Sequence, residues 1–189
     1  GISVMNGTAV LSTRLLRSFQ IDKQCNPGPP CHVYATLPTV THNSVFINAH
    51  TDYDVNSITV NYDTLEAFEK TRTTSFSAKS YSYQLDVEER GRRSVHSALL
   101  HDLIPETLYY YEIFYDGKSQ YNSTYKTLPE YGSHSPLTIV LGGDVGSSDI
   151  GAGVTESLEK TGIPGALIIG GDAAYDDALQ ACYYSWDLF

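Results

Sequence analysis

With 189 residues, 41% of them hydrophobic, the chain is long enough for one large globular domain or two small ones and carries enough apolar material for a core. Its longest apolar runs fall far short of the roughly 20 residues a helix needs to cross a bilayer, so no membrane span is expected. The formal charge of −10, from 22 acidic against 12 basic residues, repels a phosphate backbone, and no basic cluster offsets it. Nucleic acid is therefore excluded as a partner.

Residues 1–24 read as an N-terminal extension. Val10, Leu11, Leu15, Leu16 and Phe19 are too apolar for a solvated tail, and no turn signal is read among them. Two placements bury these side chains equally well. One is an extra strand or short helix over the same molecule; the other is a donor strand that pairs with a neighbour's sheet edge and builds a homo-oligomer or filament. Next, Cys25 and Cys31 flank Asn26-Pro27-Gly28-Pro29-Pro30, a turn-rich spacer that can bring the two sulfurs together. A small-loop disulfide is expected there, with two buried thiols as the alternative in a reducing compartment. Cys182 is left over. Asn6-Gly7-Thr8 and Asn122-Ser123-Thr124 match the N-glycosylation acceptor pattern, the second in a loop expected after Asp116-Gly117. Cysteines and sequons together favour an extracellular or secretory-pathway protein.

From residue 31 to residue 128 the sequence alternates apolar and polar residues in short runs rich in Val, Ile, Thr and Tyr: 31–37, 44–50, 57–62, 80–87, 93–100, 108–115 and 121–128. Turn residues separate them, so residues 25–128 are predicted to be an antiparallel β-sandwich of about seven strands. Most of the fifteen tyrosines fall at strand spacing, as half-buried residues with wet hydroxyls. The segment Leu103-Ile104-Pro105-Glu106-Thr107-Leu108-Tyr109-Tyr110-Tyr111 resembles the Leu-x-Pro-x-Thr-x-Tyr-x-Tyr corner of fibronectin type III-like domains. Residues 129–136 form a linker. Beyond it, Leu137-Thr138-Ile139-Val140-Leu141 and Ala166-Leu167-Ile168-Ile169 are apolar strands flanking a helix predicted over 151–160, so residues 137–189 read as a β-α-β unit and one more helical segment.

Each of those strands runs into glycines and then an aspartate, in Gly143-Asp144-Val145-Gly146 and in Gly170-Gly171-Asp172-Ala173-Ala174-Tyr175. Parallel strand ends are where open α/β sheets bind ligands. Asp144, Asp172 and the Tyr175 phenol together make a set of hard oxygen donors suited to a pair of metal ions. Gly-Asp after a strand also serves as a helix N-cap. A capping role, however, requires neither the second aspartate nor the tyrosine.

These two peptides, continuing to Trp186-Asp187-Leu188-Phe189, resemble the purple acid phosphatases among the calcineurin-like metallophosphoesterases. The plant and protist members carry a fibronectin type III-like domain ahead of the catalytic one, in the order found here. The resemblance implies that Asp144 ligates a ferric ion, Asp172 bridges both metals, and Tyr175 gives the ferric site its colour. A complete member holds Fe(III) and a second divalent metal, Zn, Mn or Fe. Only the first two of the family's five ligand blocks are in this sequence, so this chain is expected to be inactive alone, with no catalytic residue of its own, and its holding any metal is left open. The six histidines all precede Asp144 and are read as surface or strand residues.

Two functions follow. The first is a secreted phosphatase of phosphate monoesters, represented by its sandwich and the beginning of its catalytic domain. The second is a non-catalytic extracellular glycoprotein, a fibre or coat subunit joined through the sandwich and the N-terminal segment.

Overall fold

A computed structural model describes residues 3–5, 8–10, 25–87, 91–143 and 165–171. The chain divides into two compact units, Gln24–Val140 with Ile163–Ile168, and Gly1–Lys23 with Leu141–Gly162 and Ile169–Phe189.

Near the N-terminus, β1 (Ser3–Met5) and β2 (Thr8–Val10) pair antiparallel, with Met5 opposite Thr8. That register leaves two residues between the strands, Asn6 and Gly7. Asn-Gly is the strongest two-residue hairpin signal, so the expectation that this segment lacks a turn signal was mistaken.

The larger unit holds eight strands in two four-stranded antiparallel sheets. One has the order β3 (His32–Thr36), β4 (Val45–Thr51), β8 (Gly91–Leu100), β7 (Tyr81–Val87). The other runs β10 (Lys118–Lys126), β9 (Leu108–Tyr115), β5 (Thr59–Thr64), β6 (Phe76–Lys79). Period-two alternation sends one set of side chains from each sheet into a common core. Val45, Ile47 and Ala49 of β4, Ala98 and Leu100 of β8, Val60 of β5 and Ile113 of β9 are sealed from solvent. Tyr62, Tyr109, Tyr111 and Tyr115 belong to that core as well. Burial, followed by the neighbouring Tyr121, pushes the Tyr111 phenol up to about 12. Burial, then Asp116 and Asp52, does the same to Tyr115, whose hydroxyl donates to the Gly28 carbonyl. That bond ties the loop closed by the Cys25–Cys31 disulfide to the end of β9.

Between β8 and β9 the predicted corner forms. Leu103 is buried, and the Ile104 N–H donates to the Tyr109 hydroxyl at 2.9 Å. Thr127 holds the same corner from β10's side, donating to the Ile104 carbonyl at 2.7 Å and accepting from the Thr107 N–H at 2.9 Å.

Two elements lie where sequence periodicity showed neither. Helix α1 (Leu65–Thr71) is only seven residues long, too short for a 3.6-residue period to declare itself. Thr64 caps it by accepting from the Ala67 N–H, and Arg72 ends it in the left-handed conformation with its N–H on the Phe68 carbonyl. Strand β6 follows in a Ser/Thr-rich stretch that reads as a loop. A third difference concerns Asn122. Asp116 and Gly117, at φ 51° and 74°, make a two-residue turn between Tyr115 and Lys118, so β10 begins at once and Asn122 lies inside the strand rather than in a loop.

The strands β11 (Ile139–Gly142) and β12 (Ala166–Ile169) form a separate two-stranded sheet. The helix predicted over 151–160 lies outside the described residues. No helix among the described residues is long and apolar enough to cross a membrane.

Candidate metal centre

The Gly165 N–H donates to the Thr138 carbonyl at 2.9 Å, and the Gly170 N–H to the Gly142 carbonyl at 2.7 Å. Donor and acceptor advance together along both strands, so β11 and β12 run parallel and end side by side. At those ends the backbones approach closely. A Cβ placed on Gly143 would stand 3.3 Å from the Gly171 carbonyl oxygen, and Gly171 itself has φ +131°, which side-chain-bearing residues rarely adopt. Glycine is what lets both strands finish together.

Asp144 follows Gly143 and Asp172 follows Gly171 in sequence. Both aspartates lie outside the described residues, as does Tyr175, so the structure gives the strand ends that precede the ligand set and no geometry for the set itself. Among the described residues, no three His, Cys, Asp or Glu side chains converge as a metal site would require. Asn6 and Cys182 also fall outside the described residues.

Of the histidines, His32 and His50 face each other edge-on at 5.3 Å on paired strands. His101 is exposed and contacts the Asp102 carboxylate at 2.7 Å. His96 is different, because it is wholly buried. Its Nδ1 lies 2.7 Å from the Ser82 hydroxyl and its Nε2 2.8 Å from the Thr51 hydroxyl. Thr51 donates onward to the Asp52 carbonyl, so it accepts from Nε2–H, and Nδ1 is left to accept from Ser82. Ser82 then accepts from Ser80, which accepts from the Ile58 N–H. The chain is satisfied at every link with a neutral imidazole, and desolvation holds the pKa of His96 down at about 4. Such a histidine is structural. Strand parity could have found it, since Ser94, His96, Ala98 and Leu100 alternate in phase with the core residue Leu100.

The architecture defines the class first. Two antiparallel sheets in this strand order, closed by a corner tyrosine that bonds back to the chain upstream, make a β-sandwich of immunoglobulin-like topology. Residues 30–127, just over half of the chain, match the family model of the purple acid phosphatase N-terminal domain, and the chain belongs to the purple acid phosphatase family. Among solved structures it is similar to purple acid phosphatase PPD1 from yellow lupin (Lupinus luteus) seeds. The two are 18% identical with a TM-score of 0.51, over 64% of this chain and 23% of the lupin chain. PhoD matches at 19% identity and a TM-score of 0.41, over 62% of this chain and 23% of its own. The fn3 domain of human contactin 1 matches at 18% and 0.33, over 72% of this chain and 100% of its own. No curated protein matches the sequence significantly. The chain thus spans about a quarter of the length of the lupin enzyme, and that likeness speaks to fold alone.

Proposed function

We propose that this chain is the N-terminal part of a secreted purple acid phosphatase acting on phosphate monoesters, a fibronectin type III-like sandwich at residues 25–128 and the beginning of the α/β catalytic domain at residues 137–189. The observation that carries the reading is the parallel pairing of β11 and β12, whose glycine ends lead directly into Asp144 and Asp172. The donor chemistry fits the family's metals. Two carboxylates and a phenolate are hard, anionic oxygen ligands of the kind that Fe(III) and a divalent Zn, Mn or Fe ion accept. A bound metal pair supplies a hydroxide at acidic pH and charge stabilisation for an in-line displacement at phosphorus.

Within this sequence, Asp144, Asp172 and Tyr175 would hold the metal pair, Asp144 and Tyr175 as ligands of the ferric ion. The Cys25–Cys31 disulfide supports the secretory placement.

Hydrolysis of p-nitrophenyl phosphate at acidic pH tests the reading. The expected result is no turnover by the 189-residue chain above that of free metal ions, turnover by the full-length protein, and a loss of roughly two orders of magnitude of rate or more for Asp172→Asn in the full-length protein. Turnover by the short chain, or full activity in the Asp172→Asn protein, would refute the assignment. The second reading, a non-catalytic extracellular subunit of a fibre or coat, draws support from the solvent-facing tyrosines Tyr34, Tyr81 and Tyr83 on the β3-β4-β8-β7 sheet. An inactive full-length protein that assembles into filaments would favour it.

A further inference from the structure

Strand β10 changes phase partway along its length. Ser119 stands opposite Phe114 and faces outward, while Tyr121 stands opposite Ile113, so Gln120 is an extra residue in the ladder. A one-residue bulge sends every later side chain to the opposite face from the one it would otherwise take. Without it, Tyr121, Ser123 and Tyr125 would point to solvent and Asn122 and Thr124 into the core. With it, Tyr121 and Tyr125 pack against the core, and Asn122 and Thr124 are both exposed.

The bulge therefore presents the acceptor and the hydroxyl of Asn122-Ser123-Thr124 together on one outer face. On β9, Glu112 lies directly opposite Asn122, with Tyr110 and Phe114 as its diagonal neighbours. Phe114 is 36% exposed on that face, an apolar ring surface available to the non-polar face of a sugar. Among the described residues β10 is also the end strand of its sheet, and an edge of nine residues is a template for unwanted pairing unless something covers it.

We propose that Asn122 is N-glycosylated and that its oligosaccharide roots on the outer face of β10, lies toward Phe114 and shields the open edge of the sheet. The donor class is a lipid-linked oligosaccharide diphosphate. The Asn122 Nδ2 forms the bond to the anomeric carbon, the bond from that carbon to the diphosphate oxygen breaks, the lipid diphosphate leaves with the electron pair, and the amide proton passes to the transferase. The inference rests on the secretory placement above, and the disulfide in the same sample tells failure of the one from failure of the other.

The test uses the 189-residue chain produced through a eukaryotic secretory pathway, with the tryptic peptide of residues 119–126 read by mass spectrometry before and after treatment with peptide-N-glycosidase. The expected result is a glycopeptide that the enzyme converts to an aspartate at position 122. Asn122→Gln and Thr124→Ala should each abolish the modification, and both positions are exposed enough for the fold to survive. A bare peptide with the Cys25–Cys31 bond formed overturns the proposal; a bare peptide with both cysteines as thiols overturns the secretory placement with it. Light scattering tests the shielding. The Asn122→Gln chain should self-associate while an Asn6→Gln control does not, and equal behaviour of the two overturns the protective role.

Discussion

The sandwich and the β11–β12 pair are built from the same apolar residue types, yet they stand in opposite relations to solvent. Ile47 and Ile113 are 0% exposed in the sandwich, whereas Leu141 and Leu167 on the parallel pair are 72% and 56% exposed. The cause is topology. An antiparallel sheet alternates its residues, so two such sheets need only each other to bury every apolar side chain. A parallel pair rich in Ile and Leu on both faces needs covering on both, and two strands alone are too few to be stable. One region completes itself within about a hundred residues, and the other depends on packing from elsewhere.

Paired truncations break this comparison most directly. Ile113→Ala should destabilise the sandwich by about 3 to 4 kcal/mol, the cost of a cavity in a close-packed core. Leu141→Ala, at a side chain left largely in solvent, should change the same unfolding midpoint by less than about 0.5 kcal/mol. Denaturant unfolding followed by far-UV circular dichroism reads both, and equal effects would mean that Leu141 is packed as tightly as Ile113.

Acid sharpens the contrast next. The folded pKa of His96 lies below its value of 6.5 in an exposed chain because burial disfavours the imidazolium. The stability of the neutral, hydrogen-bonded form is therefore fully present above pH 6.5 and is lost as the pH falls toward 4. By linkage the loss is about 3 kcal/mol, and it belongs to the sandwich alone. His96→Gln should flatten this part of the pH profile. A profile identical to wild type would show that another group governs acid stability.

Much of this was legible beforehand, for identifiable reasons. The run Leu108-Tyr109-Tyr110-Tyr111-Glu112-Ile113-Phe114-Tyr115 is aromatic and apolar at all but one position, which made it legible as a strand, and burial then alternates along it, with Tyr109, Tyr111, Ile113 and Tyr115 turned inward. The corner was readable by resemblance, in the spacing of Leu103, Pro105, Thr107 and Tyr109, of which Leu103 is buried and Tyr109 and Thr107 bond the local backbone. Helix α1 was not readable, since its hold on the fold is long-range: Phe68 stacks on Tyr110 at 3.7 Å between ring centroids, across a strand some forty residues away in sequence. The outward turn of Asn122 depends on a single extra residue that no pattern along β10 alone announces. At the candidate metal centre, the paired strand ends were legible as apolar runs ending in glycine, whereas Asp144, Asp172 and Tyr175 are assigned by chemistry and resemblance.

A smaller effect tests the corner. Tyr109→Phe leaves the ring packed but strips the Ile104 N–H of its acceptor, and should cost about 1 to 2 kcal/mol. A neutral result would mean that water replaces the phenol and that the corner bond adds nothing to the sandwich.

The visible absorption of the full-length, iron-loaded protein bears most directly on the central claim, that residues after β11 and β12 hold a binuclear metal centre. The account predicts a phenolate-to-Fe(III) charge-transfer band in the wild type and its loss in Tyr175→Phe, with iron still bound through Asp144 and Asp172 and the fold unchanged, since a phenyl ring fills nearly the same volume. An unchanged band in Tyr175→Phe, or a wild-type protein that binds iron without colour, would contradict it.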